Sequence, residues 1–346
     1  MNKLTIMALT VATTLLLQGC GSNSKKVTTP VVPVKTTTPT NPTSPVAVHA
    51  IQPENVSKYV ETFKQNQAEL ELQIEGVKFD ISLVDIYTDD NIIAAKYKDG
   101  YLMIGFNFDK EEPVNSLTVL ESDLSFEQAI ANPARALDST SIDIQEDGDN
   151  VIYSGTVTDR KTKGIFNVRL VFNESLVSGG SSTIEVAGTK ATVNGDLGTN
   201  TYIQMSDLIN NNPAVDTLIL QQISGSVNDE INMHTGRLVR NAQLTTMVES
   251  DSAIYSGGVD LFASGAKRVY TQGAKVGVHS WCCVNGVTAD KLGRDHAGHG
   301  AQLTYFREML GAELGPEFYF FTIEAAPFDG AHEMTKAELD KYLLQP

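Results

Sequence analysis

The hydrophobic pattern changes its period at Ser178-Gly-Gly-Ser-Ser182, and this change limits the possible folds more than composition does. From about residue 51 to 178, apolar and polar residues alternate, as in Leu70-Glu-Leu-Gln-Ile74 and Phe79-Asp-Ile-Ser-Leu-Val-Asp-Ile86. Period two gives a strand one buried and one wet face, so this half reads as β-rich, antiparallel and α+β in class. Asp-Gly within Tyr97-Lys-Asp-Gly-Tyr101 predicts a hairpin turn that uses positive φ angles. A second hairpin is expected across Asp159-Arg-Lys-Thr-Lys-Gly164, and helices at about 53–65 and 126–137. Beyond the junction, short apolar runs at 184–186, 191–193, 217–220 and 244–248 alternate with helical spacing at 200–210 and 233–242. That series is α/β, with ligands expected beyond the C-terminal ends of its strands. Two domains follow, 51–178 and 183–346, because one core rarely organises this much chain.

The start of the chain carries a different message. Met1-Asn-Lys3 precedes an apolar run that ends in Leu17-Gln-Gly-Cys20, the layout of an export signal over 1–19. The ending resembles the lipobox of bacterial lipoproteins, which implies cleavage before Cys20 and acylation, palmitate included, of that residue. Gly21-Ser22 lacks the aspartate that retains many such proteins in the inner membrane, so the expected location is the outer membrane, facing the periplasm. Residues 20–50 are rich in Thr and Pro without apolar periodicity, as in Thr37-Thr-Thr-Pro-Thr-Asn-Pro-Thr-Ser-Pro45, and read as a disordered tether. A formal net charge of −16 argues against nucleic acid as a partner, since like charges repel. The other cysteines, Cys282 and Cys283, are adjacent and are expected to be two unlinked small side chains rather than a structural disulfide.

One segment carries chemistry. Ser256-Gly-Gly-Val-Asp-Leu-Phe-Ala-Ser-Gly-Ala-Lys-Arg268 begins with a serine at a helix start, and Ala274-Lys-Val-Gly-Val-His279 ends a strand on a histidine. A serine hydroxyl needs a base to take its proton and donors to hold the oxyanion. The segment resembles the active-site region of the Clp-protease/crotonase superfamily, with Lys275 where the family has arginine, over roughly 184 to 346. The resemblance implies a ββα-type fold with Ser256 as nucleophile and His279 as base. It assigns the oxyanion hole to N–H groups of Ser224 or Gly225, in Ile223-Ser-Gly-Ser-Val227, and of Gly257. It implies an acid near the helix capped by Thr335 and Glu338: Asp329 first, with Glu333 or His332 as alternatives. Asp260 departs from the family, which is apolar there.

The leading expectation is therefore a membrane-tethered periplasmic serine hydrolase, a peptidase acting on peptides or unfolded protein. The alternative is a lipoprotein of this fold with a decayed site that binds a peptide or an envelope component. Crotonase chemistry on a coenzyme A thioester ranks below both, because that cofactor is cytoplasmic. No cofactor is expected, and no metal: His296-Ala-Gly-His299 has only Asp295 beside it as a further ligand. Homo-oligomers are a family habit that the tether could redirect.

Overall fold

The computed structural model describes residues 46–345, so the expected signal, Cys20 and nearly all of the tether lie outside the described residues. Helix α1 (Val56–Gln67) leads into strands β1 (Glu71–Ile74), β2 (Val77–Phe79), β3 (Ser82–Tyr87), β4 (Ile92–Tyr97), β5 (Gly100–Asn107) and β6 (Glu112–Glu121). Helix α2 (Phe126–Ala131) precedes β7 (Arg135–Asp147), β8 (Asn150–Asp159) and β9 (Ile165–Phe172). The nine strands form one antiparallel sheet in the order β2-β1-β9-β8-β7-β6-β5-β4-β3, a meander whose last strand returns beside its first. Alternation built it: Leu102 and Ile104 on β5 and Tyr153 and Val157 on β8 are all fully buried. Tyr153 satisfies its hydroxyl by donating to Gly105 O at 2.7 Å.

Two expectations in this half need correction. The helix predicted over 126–137 stops at Ala131, and Arg135 already belongs to β7. Pro133 disfavours helical backbone at Asn132, which sits at φ −142°, ψ 66°. The first hairpin pairs Tyr97 with Gly100, so Lys98 and Asp99 form its turn and Gly100 stands on β5. Glycine is needed there because a Cβ would lie 1.9 Å from Leu120 O on the neighbouring strand.

After α3 (Glu174–Ser178) come β10 (Thr183–Ala187), β11 (Lys190–Asn194) and α4 (Thr199–Asn211). The next stretch is β12 (Thr217–Leu220), β13 (Gln222–Ile223), α5 (Asp229–Asn241), β14 (Thr245–Val248), β15 (Ala253–Tyr255), α6 (Gly257–Ser264), β16 (Lys267–Tyr270) and β17 (Lys275–Val278). The unit repeats: one strand in a first sheet, a short strand in a second, then a helix that brings the chain back parallel. The first sheet runs β10-β11-β12-β14-β16, parallel except at β10. Helices α7 (Gly300–Leu310) and α8 (Leu314–Ala325), strand β18 (His332–Glu333) and helix α9 (Lys336–Tyr342) complete the chain. The second sheet is β13-β15-β17-β18, with β13, β15 and β17 parallel and β18 antiparallel.

The protein is thus α/β, with a large antiparallel sheet preceding the repeating units. Each half has its own core, centred on Leu72, Leu102 and Leu170 in the first and on Leu218, Ile254 and Phe262 in the second. Among the described residues no helix is long and apolar enough to cross a membrane. The topology fixes the site's position. The C-terminal ends of three adjacent parallel strands deliver the 224–228 loop after β13, Ser256 after β15 and His279 after β17.

Candidate active site

Ser256 occupies the N-cap of α6 with φ 50° and ψ −122°, backbone that a residue with a Cβ adopts only when its surroundings force it. Its N–H donates to Gly277 O on β17 at 3.0 Å, which fixes the turn against the next strand. The chain reverses here within one residue, so the hydroxyl stands at the start of a helix whose first two N–H groups, of Gly257 and Gly258, are unpaired among the described residues. Asn232 on α5 donates from Nδ2 to Gly257 O at 3.0 Å and holds the first turn in place.

The loop after β13 closes on this turn. A Cβ built on Gly225 would lie 3.3 Å from Ser256 Cβ, and one on Gly257 would lie 2.4 Å from Ser226 Cβ. Neither the Gly225 nor the Gly257 N–H makes a hydrogen bond among the described residues, so both donors are available to a ligand atom. Ser224, the other candidate for the hole through its N–H, donates its hydroxyl to Asp196 Oδ1 at 2.6 Å.

His279 lines the same cavity as Ser256, although no hydrogen bond joins the two side chains. Its Nδ1–H donates to the carbonyl oxygen of Ser280 at 2.7 Å, which leaves Nε2 as the ring's basic nitrogen. Burial pushes the imidazolium pKa below its ordinary value, and the Ser280 carbonyl opposes that in part. A neutral ring with a free Nε2 lone pair is the form a general base needs. Ser280 is itself fixed: its N–H donates to Ala326 O at 2.9 Å, and its hydroxyl donates to Asp290 Oδ1 at 2.9 Å.

The expected third member does not reach the histidine. Asp329 is exposed and makes no hydrogen bond to His279, while its neighbour Phe328 packs on the imidazole at 6.0 Å between centroids. Glu333 pairs with Lys275 at 3.1 Å and accepts from the Tyr255 hydroxyl, and His332 faces Glu338 at 3.0 Å. The group that holds the imidazole is instead the Ser280 carbonyl, and Asp290 accepts from the hydroxyl of the same serine. Sequence reasoning missed both. A backbone acceptor leaves no trace in side-chain identity, and Asp290 lies in a 3-10 turn, Ala289–Lys291, too short to show a periodicity.

The cavity between Ser256 and His279 has a volume of about 20 Å³, room for about one water molecule. Trp281 roofs it, held by a relay in which its Nε1–H donates to Tyr319 at 2.9 Å. The Tyr319 hydroxyl donates to His299 Nδ1 at 2.6 Å, and His299 Nε2–H donates to Gly293 O at 3.1 Å. Both nitrogens of His299 are therefore engaged in holding the roof. Among the described residues no group of three His, Cys, Asp or Glu side chains could hold a metal. Tyr319→Phe is expected to lower stability by about 1–3 kcal/mol, since it strands the buried His299 and the half-buried Trp281; urea denaturation measures it, and an unchanged midpoint would remove the relay's importance. Beside the roof, Cys282 and Cys283 are joined through their sulfurs across a cis peptide bond, where unlinked side chains were expected.

Two acids complete the lining. Asp260, on the first turns of α6, is 8% exposed, and burial raises its carboxyl pKa well above the ordinary range, with Asp229 adding repulsion. Asp229, at the start of α5, is pushed up to about 6 by burial against a hydrogen bond from Ser226. Since the folded pKa of Asp260 exceeds the unfolded one, its cost is absent below the unfolded pKa of about 3.8 and grows as pH rises toward the folded value. Asp260→Asn is therefore expected to add about 1–3 kcal/mol at pH 8 and nothing near pH 4, read by urea denaturation at both. A gain of equal size at both pH values would contradict the assignment.

No family model matches the sequence, and no curated protein matches it. Solved structures do resemble part of the chain. A membrane-bound stomatin-specific protease, solved with a substrate peptide, is 15% identical over 44% of this chain and 70% of its own, with a TM-score of 0.33. An enoyl-CoA hydratase from Bacillus anthracis is 10% identical over 47% of this chain and 67% of its own, with a TM-score of 0.31. The neighbours thus include a protease and a hydratase, and the chemistry of the site has to come from its own residues.

Proposed function

We propose that the protein is a serine hydrolase, a peptidase in its substrate class, in which Ser256 attacks an acyl carbon and His279 takes the hydroxyl proton. The observation that carries this reading is the delivery of Ser256 and His279 by neighbouring strand ends to one cavity, with the unpaired N–H groups of Gly225 and Gly257 beside the Ser256 turn. In the first half-reaction the Ser256 oxygen bonds to the carbonyl carbon, and the proton passes to His279 Nε2. The oxyanion is held by Gly225 and Gly257 N–H. Collapse of the tetrahedral intermediate sends the proton from Nε2 to the leaving group, and water then repeats the sequence on the acyl-enzyme. The Ser280 carbonyl holds the imidazole in the required tautomer throughout.

The Leu17-Gln-Gly-Cys20 ending adds that the enzyme is anchored through acylated Cys20 to the outer membrane, facing the periplasm, with 20–50 as tether. Radiolabelled palmitate incorporation that disappears in Cys20→Ser tests the anchor. The alternative, a non-catalytic binding lipoprotein, is favoured by the missing Ser256–His279 hydrogen bond and the narrow cavity. A fluorophosphonate probe on the full chain in detergent separates the two. Labelling lost in Ser256→Ala establishes an activated serine, and no labelling of folded protein leaves the binding reading.

A further inference from the structure

Asp260 is unusual among the cavity's walls. It is 92% buried by its 8% exposure, and its carboxyl has no hydrogen-bond partner among the described residues. Asp229 shares the cavity with it, and neither Lys nor Arg lines the walls. A second polar atom there is also unsatisfied: the side-chain oxygen of Gln302, on α7, is buried and accepts nothing. Three elements, α5, α6 and α7, thus present acceptors to one small space. The walls' remaining polar side chains are engaged or belong to the reaction: Thr322 donates to Tyr319 O, and Trp281 to Tyr319.

A buried carboxyl without a donor, as at Asp260, is costly, and a fold keeps one where a ligand supplies what the protein omits, while Asp229 accepts from Ser226 and has a second oxygen to offer. We infer that Asp229, Asp260 and the Gln302 carbonyl form a subsite for a primary ammonium group beside Ser256. The two carboxyls set the sign of the ligand: a cation takes the place of the proton that burial holds on Asp260 and leaves two carboxylates and the Gln302 oxygen as acceptors for a group that only donates. Size chooses between cations: a space of about 20 Å³ takes a group the size of one water. An ammonium is compact and carries three donors for three acceptor groups, while a planar guanidinium is too broad. As a specificity element this rests on the serine hydrolase reading, and it selects acyl substrates with an ammonium near the scissile bond. That ammonium comes from a free peptide N-terminus or from a lysine side chain.

Binding of small probes to the full chain in detergent, followed by titration calorimetry, tests the subsite without requiring turnover. n-Butylammonium is expected to saturate at pH 7 at least tenfold more tightly than n-butanol or n-butylguanidinium, with proton release visible as a buffer-dependent heat. Asp260→Asn and Asp229→Asn, each checked for folding by circular dichroism, are expected to lose at least tenfold in affinity. Alanyl-alanine amide against its N-acetyl form reads the N-terminal source, and N-acetyl-lysine amide against N-acetyl-norleucine amide reads the side-chain source. Preference in either pair supports the subsite. Equal binding of charged and neutral probes, or ammonium binding unchanged in both variants, overturns it. Fluorophosphonate labelling without ammonium preference sinks the subsite alone, whereas ammonium binding without labelling sinks the hydrolase reading alone.

Discussion

Fluorophosphonate labelling of the His279→Ala variant is expected to run about 10²–10⁴-fold slower than that of the parent, the range for loss of a positioned general base. The expectation comes from three features acting together. The Ser280 carbonyl fixes the proton on Nδ1, so the nitrogen left for Ser256 carries a lone pair. Burial keeps the ring neutral at pH values where a solvated histidine is largely charged. The strained turn at Ser256 holds the hydroxyl at the mouth of the same cavity. The parent's labelling rate should therefore rise with pH through an apparent pKa below 6.5, flatten near neutrality and lose this limb in the variant. Catalytic hydrogen bonds commonly tighten only when substrate is present, which accommodates the absent Ser256–His279 bond. A variant that labels at the parental rate would remove His279 from the mechanism.

Gly257→Ala is expected to reduce labelling by about 10²-fold, the effect of displacing an oxyanion donor, and stability by about 1–3 kcal/mol. The new Cβ would meet Ser226 Cβ at 2.4 Å and Asn232 Nδ2 at 3.0 Å. Ser226 has no room to retreat, because the peptides on either side of it bond to Leu197. Leu197 N–H donates to Gly225 O at 2.9 Å, and Val227 N–H to Leu197 O at 2.8 Å. Relief must come from the Gly225 or the Gly257 peptide, and both are the proposed oxyanion donors. Urea denaturation and labelling kinetics on one preparation separate the two effects. Labelling at the parental rate in a destabilised variant would mean that the hole lies elsewhere.

Much of this was legible in the residues. Alternation foretold β5 and β8, the apolar run at 217–220 foretold β12, and Thr335 caps α9 with Glu338 as its spacing implied. The placement of Ser256 and His279 could be read because both are residue types at strand ends, and the two line one cavity. Other features were hidden for physical reasons. The order of nine strands depends on long-range pairing, such as β1 with β9, that no local pattern specifies. The partner of His279 is a carbonyl, which every residue carries. Asp260 looked like a departure from an apolar pattern, and only the packing of α5 and α7 around α6 showed that Asp229 and Gln302 share its cavity.

The distribution of the site over successive ββα units has a consequence for biosynthesis. A chain made from its N-terminus completes the 224–228 loop first, the Ser256 turn next and the His279 strand last. β17 gains its outer partner only when 332–333 arrives, and the Arg268 side chain on β16 is anchored by the carbonyl of Leu343. Until almost the last residue is synthesised, the hydroxyl and its base belong to separate, unassembled pieces. On the serine hydrolase reading proposed above, the nascent polypeptide is its own zymogen, inert without a propeptide to remove, and loss of Leu343 is expected to disturb a serine 87 residues upstream.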